Sequence, residues 1–477
     1  MPPDHQEGPS DFLQLDHGAA EPLYRQIYTR FRAAIADGML RPGARVPSAR
    51  ALALDLGLAR GTVEAAYSLL GAEGYLETRG QAGTVVSPAL TRHAPVAPSA
   101  RPQDRTANLA GSPAPFGRPF QMGLPALDAF PRKVCAALAA RAIRATQAAD
   151  MVYPPYCGTA ALRTAIATYL QLSRGIDCAP AQVFVTSGYR NSLELAARAL
   201  LQPGDRVWIE DPGYPPTGAL LSQAGMRPVP VPVDDEGLQV SHGVAIAPDA
   251  RAAVVTPAHQ SPLCLSLSLP RRLALLDWAA HSDAWIIEDD YDGEYRYVSR
   301  PLPALKSLDR MGRVLYAGTF SKVLFPAIRL AYLVVPPAQV ARFEAVCATF
   351  AAGGPALTQD IVASFMNEGH FVRHIQRMRR LYGERREMVA AELTKVLGKH
   401  LRIDPQPGGM HLVLRMPGHH SDRALAARLR QDGMFALPLS ECSALPQASS
   451  ALLLSFTNID TPQRARELAL RIMAQLS

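Results

Sequence analysis

The sequence predicts a multidomain protein in which a small helical domain with a β-hairpin precedes a larger α/β domain. The chain has 477 residues, more than one hydrophobic core usually holds. Proline recurs among Ala, Ser and Arg between residues 88 and 119, which is typical of a linker. Beyond it, short β-rich runs alternate with helical runs, as in βα units. We therefore expect domains at 1–87 and 120–477, joined by a proline-rich linker at 88–119.

Composition excludes several classes of protein. Apolar residues make up 48% of the chain and charged residues 19%, which argues against collagenous and wholly disordered proteins. The N-terminal residues are polar and acidic, and no uncharged apolar run reaches the roughly 18 residues of a spanning helix. The six cysteines lie far apart, which argues against a disulfide framework or a metal site. We expect a cytoplasmic protein without metal or membrane contact.

The net charge of +7 does not by itself indicate nucleic-acid binding. Residues 1–90 contain eight Arg, no Lys and ten acidic residues. Much of the excess lies between Arg373 and Arg386, at helical spacing, where it predicts a solvated or interface face. A prediction of DNA binding therefore depends on the pattern of residues along the sequence and not on the net charge.

Three helices are predicted in the N-terminal domain. The first carries apolar residues at every fourth position: Leu23, Ile27, Phe31 and Ile35. The second begins at Ser48 and ends at Gly57, and the third has its apolar face at Val63, Ala66, Tyr67 and Leu70. The short Gly57–Ala59 connection makes the second and third a helix-turn-helix.

A hairpin follows, with residues 75–77 and 84–86 as strands and 79–83 as the turn. Helix N-termini and arginine forks can meet phosphates and guanine. The candidate DNA contacts are Ser48, Arg50, Arg60, Gly61, Thr62 and Arg79.

These segments resemble the winged helix of GntR-type bacterial regulators. The resemblance rests on Pro22-Leu23-Tyr24-x-Gln26-Ile27, Val46-Pro47-Ser48-x-Arg50, Arg60-x-Thr62-Val63 and Gly83-Thr84-x-Val86. It implies double-stranded operator DNA as a partner. Ala59, Gly61 and Gln81 depart from the family's usual residues, and a missing N-cap hydroxyl costs about 1 kcal/mol.

The large domain contains a lysine in an unusual setting, Thr319-Phe320-Ser321-Lys322, with Arg329 seven residues on. Burial lowers the pKa of a lysine and yields the neutral amine that attacks aldehydes, while Arg and hydroxyl groups suit a phosphate. An aldehyde that carries a phosphate suggests pyridoxal 5'-phosphate.

Other segments meet the further needs of that cofactor. Asp289 follows an apolar strand and could face the pyridine nitrogen, with Tyr291 near the ring hydroxyl. Ser187, Gly188 and Tyr189 lie between a strand and a helix, where backbone N–H groups can bind phosphate. Tyr214, in a Pro-Gly turn, could cover the ring.

Together these segments resemble fold-type I aminotransferases, and their order resembles the MocR group of GntR regulators. The resemblance implies an α/β fold-type I PLP-dependent domain behind a winged helix-turn-helix, and a domain-swapped homodimer. It implies that Lys322 forms the internal aldimine, Asp289 pairs with the pyridine nitrogen, Tyr291 bonds the ring oxygen, and Tyr214 stacks on the ring. The other cofactor contacts it implies are Ser187, Gly188, Tyr189, His259, Thr319, Ser321 and Arg329.

Two departures concern the ligand site. Ser261-Pro262-Leu263-Cys264 replaces the family's aromatic, Pro, Thr and Gly after His259-Gln260. Leu453 stands where an arginine often binds a substrate carboxylate. The departure at Leu453 favours pyridoxal phosphate itself, or an amine without a carboxylate, as the effector; the alternative is that Arg174 or an arginine between 373 and 386 supplies the clamp.

Three functions fit the sequence. The favoured one is a transcriptional regulator whose aminotransferase-like domain binds pyridoxal phosphate and senses it or an amine effector. The second is a working aminotransferase with a DNA-binding appendage, and the third is a DNA-binding protein whose large domain only dimerises. In the favoured case a residual transaminase half-reaction is compatible with sensing.

Overall fold

The computed structural model describes residues 13–19, 21–80, 83–92, 118–297, 303–350, 353–404, 408–416, 421–445 and 450–476. The chain divides into an N-terminal unit, residues 1–112, and a C-terminal unit, residues 113–477. Most of the predicted linker, residues 93–117, lies outside the described residues.

The N-terminal unit is built on three helices, α1 (Leu23–Ala36), α2 (Ala49–Asp55) and α3 (Arg60–Ala72). Ser48 caps α2, since its hydroxyl accepts from the backbone N–H of Ala51 at 3.2 Å. Gly57, at φ +64°, forms the turn before α3. The predicted helix-turn-helix is confirmed.

A hairpin completes this unit. Strands β1 (Leu76–Thr78) and β2 (Thr84–Val86) pair antiparallel, with Leu76 opposite Val86. The turn prediction at residues 81–82 falls outside the described residues. After β2, residues Pro88–Arg92 form a short 3-10 helix where the linker was expected to begin. Leu90 packs against the core of the unit, which orders this part of the chain.

The C-terminal unit contains an eight-stranded sheet. Its strands are β3 (Val183–Thr186), β4 (Arg206–Asp211), β5 (Arg227–Asp234), β6 (Gly237–Leu238), β7 (Ala252–Val255), β8 (Trp285–Asp290), β9 (Val314–Thr319) and β10 (Ala331–Val334). The spatial order is β3-β10-β9-β8-β7-β4-β5-β6. Strands β9, β8, β7, β4 and β5 run parallel, whereas β10 is antiparallel to both β3 and β9.

Helices accompany these strands. They are α4 (Arg132–Ala145), α5 (Ala160–Arg174), α6 (Tyr189–Leu200), α7 (Pro215–Gln223), α8 (Val240–Ile246), α9 (Leu269–His281), α10 (Val340–Phe350), α11 (Ala356–Asn367) and α12 (His370–Leu397). Apolar clusters pack on the sheet, which explains why β3 and β7 are buried along their whole length.

A smaller sheet follows α12. Its strands β11 (Arg402–Ile403), β12 (His411–Met416), β13 (Leu437–Pro438) and β14 (Ser450–Ser455) are ordered β11-β12-β14-β13. Helices α13 (Asp422–Gln431) and α14 (Pro462–Ala474) contribute to its core. Across the described parts of the chain, none of the helices combines the length and apolar character needed to cross a bilayer.

Candidate functional site

A cavity of about 320 Å³ lies where several strands of the large sheet end. The loops after β3, β4, β8 and β9 all reach it, because the carboxyl ends of parallel strands share one edge of the sheet. Residues of β12 and β14 line it from the smaller sheet. The cavity therefore collects side chains from distant parts of the sequence.

Lys322 lies in the loop that joins β9 to β10. The loop leaves and re-enters the sheet at a paired position, Thr319 opposite Ala331. The Nζ of Lys322 donates to the carbonyl of Gly123 at 2.8 Å, and burial lowers its pKa. A Cβ on Gly123 would lie 2.7 Å from this Nζ, so glycine leaves room for the amine. Burial thus shifts the amine of Lys322 toward its neutral form at the edge of the cavity.

Asp289 and Tyr291 reach the cavity from the end of β8. Burial raises the pKa of Asp289 well above its usual range, and the neighbouring Asp290 and Glu210 act in the same direction. The nearby amine of Lys322 opposes that rise. A cationic group placed against Asp289 would relieve the cost of its charge. This part of the wall therefore suits a ligand that places a protonated ring nitrogen against Asp289.

The start of α6 forms another part of the wall. Gly188, at φ +126°, is the N-cap of α6, and a Cβ there would lie 3.0 Å from the Nη2 of Arg329. Thr319 and Ser321 also line the cavity, and the hydroxyl of Thr319 accepts from the backbone N–H of Ser321 at 3.1 Å. A helix N-terminus, a guanidinium and two hydroxyls make an anion cradle.

Tyr214 stands at the start of α7 on the cavity wall, 45% exposed. Its ring lies 5.9 Å from that of Tyr189, edge to face, and the hydroxyl of Tyr189 bonds Thr217 at 2.8 Å. Asp211 holds the preceding loop, since it accepts from the backbone N–H of Ala444 at 2.8 Å. The loop that carries Tyr214 is therefore fixed to the end of the smaller sheet.

The structure brings most of the predicted cofactor contacts to this cavity. Its wall includes Gly188, Tyr189, Tyr214, Asp289, Tyr291, Thr319, Ser321, Lys322 and Arg329. Ser187 and His259 lie behind the wall. Ser187 is next to Gly188, with its backbone N–H bonded to Asn191, and His259 contacts Tyr291.

Sequence reasoning missed several lining residues. Gly123 comes from the stretch before α4, and His411 comes from β12. Their sequences carry no local signal, since only the fold brings them here. Arg190, an exposed residue in the first turn of α6, is a further cation on the wall. Its position directly after Ser187-Gly188-Tyr189 could have marked it.

The alternative carboxylate clamps lie elsewhere. The guanidinium of Arg174 is buried and bridges Asp290 at 3.0 Å and Glu294 at 3.1 Å. Arg385 bridges Asp128 at 2.5 Å. Leu453 is buried on the cavity wall in β14, where it presents an apolar surface.

The candidate DNA contacts lie together in the N-terminal unit. Arg60 begins α3 and is exposed, with its Nε 2.7 Å from Glu64. Gly61 and Thr62 follow it in the first turn, Arg50 lies in the first turn of α2 after Ser48, and Arg79 follows β1 beside Glu77.

Sequence reasoning also missed Arg45. Its guanidinium lies beside the hairpin, where a Cβ on Gly83 would be 3.2 Å from its Nε. Arg45 lines a groove with Ser48 and Thr84. It adds an exposed cation between α2 and the hairpin.

Comparisons with known proteins agree with this two-part organisation. Residues 23–86 match the family described as "Bacterial regulatory proteins, gntR family", and residues 125–469 match "Aminotransferase class I and II". The probable rhizopine catabolism regulatory protein MocR of Rhizobium meliloti is 38% identical over 465 residues, which cover 95% of this chain and 94% of that protein. The pyridoxine biosynthesis regulator PdxR of Corynebacterium glutamicum is 36% identical and covers 82% of each chain.

Solved structures agree with the fold of the C-terminal unit. The α-aminoadipate aminotransferase LysN of Thermus thermophilus superposes with a TM-score of 0.68 at 28% identity, over 75% of this chain and 91% of that one. A kynurenine aminotransferase of Pyrococcus horikoshii has the same TM-score at 24% identity, over 78% of this chain and 94% of that chain, and shows the fold alone. The predicted fold-type I architecture is confirmed.

Proposed function

This chain belongs to the MocR group of GntR-family regulators, which join a winged helix to an aminotransferase-like domain, and from that premise we propose its mechanism. It is a DNA-binding transcriptional regulator. Its C-terminal unit binds pyridoxal 5'-phosphate and uses the same cavity to sense that cofactor or an amine. We infer that it acts in the cytoplasm of a bacterial cell, where transcription takes place.

The cavity fits pyridoxal phosphate. When bound, the cofactor supplies an aldehyde carbon open to a primary amine and a ring that draws electrons. Lys322 offers the amine, and burial lowers its pKa, which favours the neutral form that attacks an aldehyde. Asp289 would hold a proton on the ring nitrogen, and Tyr291 would meet the ring oxygen. Arg329, Gly188, Thr319 and Ser321 would hold the phosphate, with Ser187 supporting the turn.

One observation carries this proposal: the cavity beside the amine of Lys322 is also lined by a buried carboxylate and by a guanidinium. Lys322, Asp289 and Arg329 all line the cavity. A lysine without such partners would be a surface or packing residue. The combination supports aldehyde chemistry beside a phosphate.

Reductive trapping tests the site. Full-length protein is incubated with pyridoxal phosphate and borohydride, and the labelled peptide is identified by mass spectrometry. We expect the label on Lys322 and its loss in Lys322→Ala, because only a primary amine can attack the aldehyde. Lys306→Ala is the matched control, since Lys306 is also half-buried, with its Nζ on the carbonyl of Val314 at 2.6 Å. Labelling that survives Lys322→Ala would contradict the proposal.

The N-terminal unit supplies the DNA contacts. We infer that Arg60 reads a base edge and that Gly61, Thr62, Ser48, Arg50 and Arg79 meet the backbone or the minor groove. The exposed start of α3 supports this, because helix N-termini attract phosphate. Arg45 is placed to add a phosphate contact.

A homodimer, with each winged helix resting on the partner's large domain, is part of the proposal. An exposed apolar run supports self-association: Met151, Val152 and Tyr153 are 75%, 70% and 96% exposed. Apolar patches of this kind usually mark interaction surfaces.

The effector site lies in the same cavity. Leu453 gives the cavity no charge at β14, which favours the cofactor itself or a plain amine. Arg190 offers a cation that could bind a carboxylate. Effectors with and without a carboxylate can be distinguished by titrating the cofactor-loaded protein with amines and with amino acids. The titration is repeated with Arg190→Gln, which should weaken the binding of an effector only if that effector carries a carboxylate.

A working aminotransferase is the second candidate function. The residues around Lys322 are those that transamination also uses, and the likeness to LysN favours it. Repeated turnover with an amino donor and a keto acid would support the enzyme, whereas DNA affinity that responds to ligand without turnover would support the regulator.

A further inference from the structure

His259 lies behind the cavity wall and contacts two residues at once. Its Nδ1 is 2.9 Å from the carboxylate Oδ1 of Asp292 and 3.1 Å from the hydroxyl of Tyr291. His259 is 7% exposed and Asp292 is 1% exposed. Tyr291 itself lines the cavity. A buried imidazole thus connects a buried carboxylate to the hydroxyl that faces the ligand.

The chemistry of these groups fixes the direction of the hydrogen bonds. A carboxylate oxygen accepts, so the Nδ1 of His259 carries the hydrogen that it shares with Asp292. The hydroxyl of Tyr291 then accepts the same N–H as the longer branch of a bifurcated hydrogen bond, and the hydroxyl of Ser261 is a further hydrogen-bond neighbour. A phenol that accepts from both keeps its own hydrogen for another acceptor. That acceptor would lie in the cavity.

The other side of the imidazole faces sulfur. Cys264 is buried, and its Sγ lies 3.2 Å from the Nε2 of His411. Besides Asp292, Cys264 raises the pKa of His259, while His411 and His259 together lower the pKa of Cys264 to about 6. The Nε2 of His259 is buried without a hydrogen-bond partner of good geometry in the described structure. Asp292 and Cys264 thus both raise the pKa of His259, against the opposing effect of burial.

Backbone geometry around this cluster supports a specific role. Cys264 adopts φ +61°, a conformation that non-glycine residues rarely adopt. Gly409, at φ +90°, faces the imidazole, and a Cβ there would clash with the ring. The strained backbone at Cys264 and the close approach at Gly409 suggest that the position of the ring is functional.

We propose that His259, held by Asp292, is a positioning residue that fixes the hydroxyl of Tyr291 as a hydrogen-bond donor toward the cavity. This inference rests on the proposed cofactor site, where the acceptor would be the ring oxygen of pyridoxal phosphate. The role assigned to His259 is indirect, because its ring contacts Tyr291 and not the cavity.

The titratable groups around Tyr291 and His259 come from several elements. They are Asp289 and Asp292 at the end of β8, Cys264 after β7, His411 on β12 and Lys322 after β9. A hydrogen bond donated to the ring oxygen stabilises its negative form, so it lowers the pH at which the chromophore loses a proton. Removing the donor should raise that pH.

The experiment follows the visible absorbance of full-length protein loaded with pyridoxal phosphate as a function of pH. We expect His259→Leu to raise the midpoint of the proton-linked change by about one pH unit. Tyr291→Phe should raise it at least as far. His259→Asn should return the midpoint most of the way to that of the unmodified protein, because the asparagine amide can place an N–H near the position of Nδ1. His281→Leu, at an exposed histidine of α9, is the control, and thermal unfolding checks that each variant folds.

The double variant separates positioning from long-range charge. If His259 acts through Tyr291, His259→Leu should add nothing to Tyr291→Phe. An unchanged midpoint in His259→Leu, or full additivity in the double variant, would overturn the inference. Absence of any bound chromophore in the unmodified protein would instead contradict the proposed cofactor site.

Discussion

Gly188→Ala perturbs the phosphate end of the cavity without removing any polar group. Gly188 adopts φ +126°, and an added Cβ would lie 3.0 Å from the Nη2 of Arg329. The substitution therefore has two effects: it strains the backbone and displaces the guanidinium. Gly204 provides a matched control: its φ is +96°, and among the described residues no heavy atom apart from its chain neighbours lies within 4 Å of an added Cβ.

The two effects have separate magnitudes. Backbone strain of this kind costs about 1 to 3 kcal/mol, and both variants should lose about that much unfolding free energy. Loss of a hydrogen bond to a charged group costs about 1.5 to 3 kcal/mol. We therefore expect Gly188→Ala to weaken pyridoxal phosphate binding by about 10- to 150-fold, and Gly204→Ala to bind it normally.

Equilibrium titration of the apoprotein with pyridoxal phosphate measures the affinity, and denaturant unfolding measures the stability. A Gly188→Ala variant that is as destabilised as Gly204→Ala yet binds the cofactor as tightly as the unmodified protein would show that Gly188 does not seat the guanidinium of Arg329 for binding. Equal loss of affinity in both variants would show that backbone strain alone is responsible.

Three further predictions concern DNA, pH and assembly. Arg60→Ala should weaken specific operator binding by about 5- to 150-fold in gel shifts and leave random DNA much less affected; equal losses would show that Arg60 only holds phosphate. Burial raises the pKa of Glu288 from 4.5 to about 7, so the folded protein keeps a proton that the unfolded chain releases. Stability should fall as the pH rises from about 4.5 to 7, by up to about 1.4 kcal/mol per pH unit, and Glu288→Gln should flatten this slope in denaturant unfolding. Tyr153→Asp should weaken the dimer seen by light scattering, because Tyr153 is 96% exposed in an apolar run; an unmodified protein that is monomeric at micromolar concentration would contradict the dimer.

Local sequence predicted the parts of the site that follow strands. Asp289, Tyr214 and Lys322 each come after an apolar run, and a strand that ends at the sheet edge delivers such residues to a common place. The helix-turn-helix was predictable for a similar reason, since the spacing of Val63, Ala66 and Leu70 matches their burial in α3.

Tertiary contacts decided what local pattern could not. Ile35 fits the apolar spacing of α1 but is only half-buried, whereas Gln26 is buried because its side chain bonds the backbone of Asp16 at 2.9 Å. The sequence allows Arg174 as a carboxylate clamp, but in the structure its guanidinium is engaged in ion pairs with Asp290 and Glu294. These two ion pairs join residues more than a hundred positions apart, and the spacing of apolar residues along the sequence does not predict them.

The loop between β9 and β10 has a consequence for the order of folding. Thr319 pairs with Ala331 across an antiparallel junction, so Lys322 and Arg329 sit within one closed loop of the chain. Contacts between residues so near in sequence form early, because little chain entropy is lost in closing a short loop. We therefore expect the amine and the guanidinium to acquire their spacing from this local closure, and Asp289 and His411 to join them when more distant strands dock. Insertions in this loop should alter cofactor binding before they alter the fold.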